Sequence, residues 1–315
     1  MEPMTVGASV ESVLTWDYRP ADGRLATLYE RAKAGQWNAA TDVDWSLPVT
    51  FGRALNRDSA AGWASFRASP LARRGPRAWD TFRWELQSWM VSQFLHGEQA
   101  ALAVAGRLAG ELPDLDGKFC AASQAADEAR HVEVFARYLH EHVPEPYPVS
   151  PPLRSLLTDV LADGRWDVTA LGMQIMVEAL AMAAFRLGGE TFHDPLIQQI
   201  TRLVARDEAR HVSFGVLSLE GLYAGLTTPE RGEREELVVQ AAELMHRRFL
   251  LGEVWERMEV DRAEGTAHAA VDPLMVSYRR TLFTAVLSAL RRIGLFTPYV
   301  RGKLALLGLV APGIG

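Results

Sequence analysis

The sequence is poor in cysteine, in basic charge and in long apolar runs. Its one cysteine, Cys120, excludes an internal disulfide and suits a reducing compartment. The 33 basic residues are outnumbered by 39 acidic ones, which disfavours nucleic acid as a partner because phosphate binding needs a basic surface. The first residues lack the basic start and apolar run of a signal peptide, and the apolar stretch at 304–310 is too short to cross a bilayer. We therefore expect a cytoplasmic protein that is not in a membrane.

Proline is absent from several long stretches of the chain in which the spacing of apolar residues is helical. Residues 78–111 contain no proline, and their apolar side chains recur three and four positions apart. Proline and glycine mark the ends of further stretches with the same spacing. The predicted helices cover residues 78–111, 115–142, 151–163, 167–188, 195–224, 229–260 and 273–294. No stretch has the period of a strand, so the pattern predicts an all-α fold.

Composition divides the chain into three parts. Residues 1–77 carry several prolines with many glycines and aspartates, so we predict an arm of loops and short helices that packs on the main body through Trp37 and Trp45. Residues 78–260 hold the long periodic stretches and are predicted to form the helical bundle. Residues 261–315 are predicted to add C-terminal helices.

A six-residue sequence occurs twice in the chain. Residues 127–132 and residues 207–212 both read Asp-Glu-Ala-Arg-His-Val, each within a proline-free helical stretch. Each copy contains Glu-x-x-His, whose two side chains share one helix face and can reach a common metal ion. The candidate ligands in the two copies are Glu128 and His131, and Glu208 and His211.

Each motif is preceded by a helix with one further glutamate. Glu98 lies 30 residues before Glu128, and Glu178 lies 30 residues before Glu208, so the whole constellation recurs with an offset of 80. The neighbours of Glu178 are almost all apolar, so its carboxylate would be unfavourable there unless it is paired or bound to metal. The alternative interpretation is a charged helix face that repeats without binding metal. That interpretation does not explain why Glu178 lies among apolar residues.

Four helices, two with one glutamate each and two with Glu-x-x-His, resemble the ligand set of ferritin-like di-iron carboxylate proteins. Over residues 78–260 the chain resembles the ribonucleotide-reductase-like oxygenases, which include bacterial di-iron monooxygenases, acyl-carrier-protein desaturases and arylamine N-oxygenases. The resemblance implies a ferritin-like four-helix bundle that holds two iron ions, with a manganese–iron pair as the alternative. The implied ligands are Glu98 and His131 on one ion, Glu178 and His211 on the other, and Glu128 and Glu208 as bridges.

The resemblance also implies roles for residues next to these ligands. A metal-bound imidazole usually donates its other N–H to a carboxylate. In the related proteins the aspartate of one motif holds the histidine of the other. We therefore expect Asp207 to support His131 and Asp127 to support His211. The basic residues expected to neutralise these aspartates, or else to form ion pairs at the surface or between helices, are Arg130 and Arg210.

Positions one helical turn from the ligands differ from those of the best-known relatives. Phe135 stands where ribonucleotide reductase subunits have a radical-forming tyrosine, so a tyrosyl radical is not expected. Met182 stands where the monooxygenases carry a threonine, and Val204 stands where the arylamine N-oxygenases have a third histidine. None of these subclasses is matched in full. The possible pocket residues are Gln124, Phe135, Gln174, Met182 and Val204.

The implied activity is that of a di-iron oxygenase. Such an enzyme uses dioxygen to oxidise a small organic or carrier-bound substrate by N-oxygenation, hydroxylation or desaturation, and these three reactions stay open. The chain lacks the cysteines of an iron–sulfur carrier, so electrons are expected from an external donor or reductase. The alternatives are iron binding with ferroxidase activity and a manganese–iron ligand-binding protein without oxygenase turnover. We also expect a homodimer, as in the family.

Overall fold

The computed structural model describes residues 4–19, 23–56 and 58–310, and all regular structure within them is helical. This confirms the predicted all-α class. Three segments are helical but not α-helical. Pro70–Arg74 and Leu222–Gly225 are short 3-10 helices, and Leu171–Glu178 is a π-helix. The α-helices are α1 Gly23–Ala34, α2 Ala60–Ala68, α3 Pro76–Glu111, α4 Leu115–His142, α5 Pro151–Ala162, α6 Trp166–Ala170, α7 Ala179–Thr191, α8 Pro195–Leu219, α9 Thr228–Arg248, α10 Gly252–Arg257, α11 Arg262–Val271, α12 Pro273–Arg292 and α13 Pro298–Leu306.

The bundle is built from two helical hairpins. α3 packs against α4, α7 packs against α8, and the two motif-bearing helices, α4 and α8, also meet directly. Asp114 begins α4 by accepting a hydrogen bond from the backbone N–H of Gly117 at 2.8 Å. Asp194 begins α8 in the same way, accepting from the N–H of Ile197 at 3.0 Å. The two motif helices therefore begin with matching caps, as their repeated sequences suggest.

The third bundle helix contains the π-helical segment. α6, the segment Leu171–Glu178 and α7 follow one another without a break, so one helix runs from Trp166 to Thr191. A regular helix was predicted over 167–188, and the π segment was missed because nearly every residue in it is apolar and every one is buried. Since the segment ends on Glu178, its wider turn sets the position of a candidate ligand.

The same helix is long and apolar enough to cross a membrane, judged by length and composition. Within the protein, however, 89% of its most apolar window is buried. Its apolar composition is thus accounted for by its place at the centre of the bundle.

Two helix ends differ from the predictions. The helix predicted over 195–224 ends at Leu219, and Gly221 then takes a left-handed conformation with φ of 82°. The helix predicted over 229–260 ends at Arg248.

The second of these breaks could not be read from the local pattern. Leu251 adopts a positive φ of 61° just before α10 begins, although neither glycine nor proline lies nearby on its N-terminal side. Packing of the neighbouring helices thus overrides local preference here. One result is that the adjacent side chains of Arg248 and Phe249 sit, both buried, at the end of α9.

The described part of the N-terminal arm consists of short helices and loops, as predicted for residues 1–77. α1 packs against α4 and α8. Trp37 is buried, and the guanidinium of Arg137 on α4 lies 3.8 Å over the ring of the half-buried Trp45. Both tryptophans thus attach the arm to the bundle, as expected. The three-part division of the chain stays a prediction.

Candidate metal centre

The two Glu-x-x-His motifs face each other at the centre of the bundle. The Nδ1 atom of His131 lies 3.1 Å from Oε2 of Glu98 and 3.2 Å from Oε2 of Glu128. The Nδ1 atom of His211 lies 3.0 Å from Oε1 of Glu128 and 3.3 Å from Oε1 of Glu208. Each of the six predicted ligands is 5% exposed or less. The side chains brought together are Glu98, Glu128, His131, Glu178, Glu208 and His211.

These side chains form two overlapping groups. Within each group, one potential ligand atom from every residue lies within 4.8 Å of all the others. Glu128 belongs to both groups, which is the arrangement expected of a bridging carboxylate. The groups are Glu98, Glu128, His131 and Glu208 on one side, and Glu128, Glu178 and His211 on the other.

Burial and neighbouring charges shift the pKa values of Glu98, Glu178 and Glu128 in different directions. Loss of solvent raises the pKa of Glu98 and of Glu178 well above the ordinary value, and the two neighbouring carboxylates raise it further. Burial acts in the same direction on Glu128, but the two imidazoles outweigh it and hold the pKa of Glu128 well below its usual range. The centre without a cation therefore contains carboxyl groups that favour the protonated form.

The pKa values of the two histidines are also set by burial and by neighbouring charges, but each of these acts in the opposite direction to its effect on a carboxyl group. Burial alone would lower the pKa of His131 and of His211, yet the surrounding carboxylates raise both well above the ordinary value of 6.5. In the metal-free protein, protons bound to the histidines and glutamates thus compensate the negative charge of the clustered carboxylates. A divalent cation supplies the same charge and displaces those protons on binding.

Several atoms at the centre have no hydrogen-bond partner among the residues that the structure describes. They are Oε2 of Glu178 and Oε2 of Glu208, together with Nδ1 of His211 and Oε1 of Glu208, which lie 3.3 Å apart without the geometry of a hydrogen bond. Buried polar atoms in folded proteins are almost always partnered, so these atoms are explained best if they bind a ligand. Four carboxylates and two imidazoles also match the donor types and charge suited to a pair of divalent transition-metal ions. The residues present thus fit a di-metal cofactor.

The two aspartates of the repeated motif are crossed between the half-sites. Oδ2 of Asp207 lies 3.2 Å from Nε2 of His131, and Oδ2 of Asp127 lies 3.1 Å from Nε2 of His211. This crossing is the arrangement expected from the resemblance. Each aspartate accepts the Nε2 proton, which leaves Nδ1 of the ring free to face the glutamates.

The two arginines of the repeated motif form ion pairs with these aspartates. Arg130 pairs with Asp127 on its own helix and lies 3.5 Å from Asp207 of the other motif. Arg210 lies 2.6 Å from Asp207 and 3.0 Å from Asp127. Each arginine contacts the aspartates of both motifs. The two arginines and two aspartates therefore also form ion pairs between helices α4 and α8. Burial raises the pKa of both aspartates, but the histidine that each aspartate holds, and after it Arg210, lower the pKa below the ordinary value.

Two adjacent residues of the N-terminal arm complete the network, and the sequence did not predict their role. The side-chain amide of Gln36 donates to Oδ1 of Asp127 at 2.9 Å, and the indole N–H of Trp37 donates to Oδ2 of Asp207 at 2.7 Å. The ring of Trp37 also stacks on that of His131, with centroids 6.4 Å apart. The arm has no period that would place a side chain, so the only sequence signal is a tryptophan in a polar loop.

The predicted pocket residues Gln124 and Gln174 lie one turn before two of the glutamates. Gln124 donates to Oε1 of Glu178 at 2.7 Å and to Oε1 of Glu128 at 3.2 Å, so it orients two candidate ligands. The amide of Gln174 is buried, has no partner among the described residues, and packs against Gly215 of α8. Their contact with a substrate stays a prediction.

The other three predicted pocket residues have separate surroundings. The ring of Phe135 lies among other aromatic rings, with centroids 5.7 Å from both Phe94 and Phe185. Met182 lines an open groove between α7, α8 and α12. Val204 is fully buried on α8, one turn before Glu208, so no histidine is supplied at that position.

Two cavities lie along the α3 and α7 side of the centre. A small one of about 30 Å³ is lined by Glu98, Glu178 and Arg248, among others. A larger one of about 320 Å³ is mainly apolar and is lined by residues of α3, α7 and α12. Phe249 lines both cavities, so it lies between them.

Residues 21–294 match the family described as p-aminobenzoate N-oxygenase AurF. The chain belongs to this family. Members of the family are oxygenases, so the chain is a di-metal oxygenase with an organic substrate and dioxygen as co-substrate. Two helices with one glutamate each and two with Glu-x-x-His around one centre are the arrangement of a ferritin-like bundle.

Solved structures are also similar to the chain. An R2-like ligand-binding oxidase with aerobically reconstituted metal cofactor after photoconversion is 18% identical over 93% of this chain and 94% of that chain, with a TM-score of 0.44. The same kind of oxidase with aerobically reconstituted Mn/Fe cofactor is 19% identical over 91% and 92%, with a TM-score of 0.40. No curated protein matches the chain in sequence.

Proposed function

We propose that the chain is a di-iron N-oxygenase that oxidises the amino group of a small aromatic substrate. The observation that carries the proposal is the meeting of two buried Glu-x-x-His half-sites in a chain that matches the N-oxygenase family over residues 21–294. The proposed ligands are Glu98 and His131 on one iron, Glu178 and His211 on the other, and Glu128 and Glu208 as bridges.

In the proposed reaction, one atom of dioxygen enters the substrate as an N–O bond and the other leaves as water. This stoichiometry consumes two electrons and two protons per turnover, which an external reductase or donor has to supply. When bound, the metal pair supplies the electron transfer to dioxygen. Repetition of the step would convert an amine through the hydroxylamine to a more oxidised product.

The residues of the chain orient the ligands and keep water out. Asp127 and Asp207 hold Nε2 of the two histidines, which directs each Nδ1 toward the glutamates. Gln124 holds one oxygen of Glu178 and leaves the other, Oε2, without a partner. The aromatic rings around Phe135 close the bundle on one side of the centre, which limits the access of solvent.

One departure from the family distinguishes this chain. Val204 occupies the position where a third histidine is expected in the arylamine N-oxygenases, so the proposed centre has six protein ligands. A carbon-directed oxidation is the competing reaction, and the products of turnover separate the two.

The test begins with protein produced in iron-supplemented medium. Two irons per chain are expected by elemental analysis, and a His131→Gln variant should retain fewer. The protein is then supplied with 4-aminobenzoate, dioxygen and a chemical reductant, and products are identified by mass spectrometry with labelled dioxygen. Labelled oxygen on nitrogen supports the proposal. Oxygen on carbon, or continued uptake of many irons per chain without any organic product, would overturn it.

We propose that the protein is cytoplasmic, in keeping with its single, buried cysteine, and that it forms a homodimer, as the family resemblance implies. Light scattering on the purified protein tests the dimer, and a monomer at all concentrations would contradict it.

A further inference from the structure

Basic residues are concentrated at the C-terminal end of the sequence. Residues 273–315 contain six basic residues and no acidic one, whereas residues 1–272 contain 27 basic and 39 acidic residues. The chain thus has a formal net charge of -12 up to residue 272 and of +6 after it, with histidine taken as neutral. Such an asymmetry is typical of a chain that presents one charged surface to a partner of the opposite charge.

Three of these basic residues share an exposed surface with Arg186 of α7. Arg186 and Arg292 line the open groove between α7, α8 and α12, and no other charged residue among the described ones lines it. Arg291 and Arg301 line a neighbouring groove between the end of α12 and α13. Because Arg291 and Arg292 are consecutive, the two grooves meet at the end of α12. All four side chains are exposed, and together they are called the arginine surface below.

The charges of the arginine surface are hardly neutralised within the described part of the chain. Of the four arginines, only Arg292 lies within 4.0 Å of a carboxylate there, at 3.5 Å from Oε1 of Glu220. Glu220 also pairs with Arg24 at 2.7 Å, so one carboxylate faces two guanidinium groups. The guanidinium of Arg291 lies 4.5 Å over the ring of Phe296. The surface therefore keeps a positive field in an otherwise acidic protein, and it attracts an anionic partner.

The groove beside these arginines lies directly behind one half of the candidate metal centre. Its volume is about 510 Å³. Its wall includes Val212, which follows His211 in α8, and Met182, which lies four residues after Glu178 in α7. Four residues of helix span about 6 Å. A partner in this groove therefore lies within about one helical turn of two candidate ligands, although the ligands themselves are buried.

We propose that the arginine surface and the groove beside it form the docking site of the electron donor, and that this donor is a small acidic one-electron carrier protein. The inference rests on the proposed function, in which each turnover consumes two electrons. Two donor molecules are each oxidised by one electron, and the two protons come from solvent. Arginines at the rim steer an acidic partner into place, and a small contact area suits a complex that has to dissociate after each transfer. A lipid surface is flat and does not fill a groove, so it fits this site less well.

Binding is measured by calorimetry on the purified full-length protein in its metal-free form. The probes are an acidic plant-type ferredoxin and an acidic flavodoxin, with a basic cytochrome c for comparison. At least one acidic carrier should bind, and its affinity should fall as the salt concentration rises from about 0.01 M to about 0.15 M, because exposed charges are screened. If neither acidic carrier binds more tightly than the basic cytochrome, the proposal is wrong.

Charge-reversal variants separate docking at this surface from a general effect of net charge. The double variant Arg186→Glu/Arg292→Glu should weaken binding of the acidic carrier about 10-fold or more, since it opposes like charges. Arg77→Glu/Arg154→Glu is the matched control, because it reverses two exposed charges on α3 and α5 and should leave most of the affinity. Ser288→Trp fills the groove without changing its charge and should also weaken binding. Equal losses in the two double variants would overturn the assignment.

The rate of reduction of the iron-loaded protein provides an independent measurement. In stopped-flow absorbance, Arg186→Glu/Arg292→Glu should be reduced more slowly than the wild type by the reduced carrier but at a similar rate by dithionite, because a small reductant needs no docking site. If the two arginines are required for sedimentation with phosphatidylglycerol vesicles and not for carrier binding, the surface binds lipid and the proposal is wrong. Carrier binding and reduction without N-oxygenation would contradict only the proposed function. N-oxygenation with a chemical reductant but without any carrier preference would contradict only this inference.

Discussion

The indole N–H of Trp37 donates a hydrogen bond of 2.7 Å to Oδ2 of Asp207, the oxygen that also lies 3.2 Å from Nε2 of His131. A residue of the irregular N-terminal arm is thus one contact removed from a candidate ligand. Burial raises the pKa of Asp207, but the hydrogen bond with His131 brings it below the ordinary value. The indole of Trp37 binds the same oxygen, so it helps to hold that oxygen against the imidazole.

Replacement of Trp37 should weaken metal binding. Trp37→Phe keeps an aromatic ring but removes the donor to Asp207, and a loss of metal affinity of about 10- to 100-fold is expected from the behaviour of such supporting groups. Trp45→Phe is the control, because that indole donates to the backbone oxygen of Ala39 at 2.8 Å and does not touch the centre. Metal titration with competition by a chelator measures both variants, and equal losses would contradict the role of Trp37.

Replacement of Glu178 should separate metal binding from folding. Glu178→Gln removes a candidate terminal ligand and should lower the metal content per chain. In the metal-free protein the same change should not reduce thermal stability, because burial already disfavours the charge of this carboxyl group. The control is Glu111→Gln, at a buried carboxylate that pairs with Arg107 at 3.1 Å, which should lower stability and leave the metal content unchanged. Full metal occupancy of Glu178→Gln would argue against the assignment.

Metal binding should release protons, and the stability of the metal-free protein should fall as the pH rises. The pKa values of Glu98, Glu178, His131 and His211 are raised in the folded chain, so the folded state binds more protons than the unfolded one. These groups contribute stability that is fully present below their unfolded pKa values and is lost as the pH rises through the folded ones.

The measurable window for this effect lies above pH 6.5, the ordinary pKa of histidine. Asp127 and Glu128 have lowered pKa values, so the stability that they contribute is lost only in acid. They therefore do not cancel the loss of stability above neutral pH. Denaturant unfolding of metal-free protein from neutral to alkaline pH should show the decline. Metal titration in weak buffer should show acidification and a higher affinity at higher pH. A pH-independent metal affinity would exclude this account of the centre.

The contact between the π segment and α8 should be sensitive to a single methyl group. A Cβ atom added at Gly215 would lie 2.4 Å from Cβ of Gln174, so Gly215→Ala should destabilise the protein by about 1–3 kcal/mol. Gly106→Ala in α3 is the matched control, because no atom lies within 4 Å of its added Cβ, and it should stabilise by about 0.5–1 kcal/mol. Chemical denaturation measures both, and a neutral Gly215→Ala would mean that the helices are less closely packed.

The sequence was sufficient to predict the long helices of the bundle, and the six candidate ligands that it indicated lie together in the structure. Repetition carried this information, since the two Asp-Glu-Ala-Arg-His-Val copies and the preceding glutamates recur with one offset. The crossed aspartates followed from the family resemblance. Their contacts at 3.1 and 3.2 Å agree with that expectation.

Other features depend on packing and had no local signal. No glycine or proline lies between the end of α9 at Arg248 and the positive φ of Leu251, and this break places Phe249 between the two cavities. The π segment has no signal in the sequence because most of its residues are apolar and all of them are buried, so no face of the helix stands out. The contacts of Gln36 and Trp37 require the arm to lie across α4 and α8, and no periodic pattern in the arm encodes that path.

The crossing of the aspartates has a consequence for symmetry. One glutamate helix and one motif helix form a repeat that is not self-sufficient, because the partner of its histidine lies in the other repeat. The pair of repeats is thus the equivalent of a two-fold dimer contained in a single chain. The arm breaks this symmetry, since it offers an amide to Asp127 and an indole to Asp207. The two halves have identical ligand types, yet neighbouring residues from outside the repeats make them chemically distinguishable.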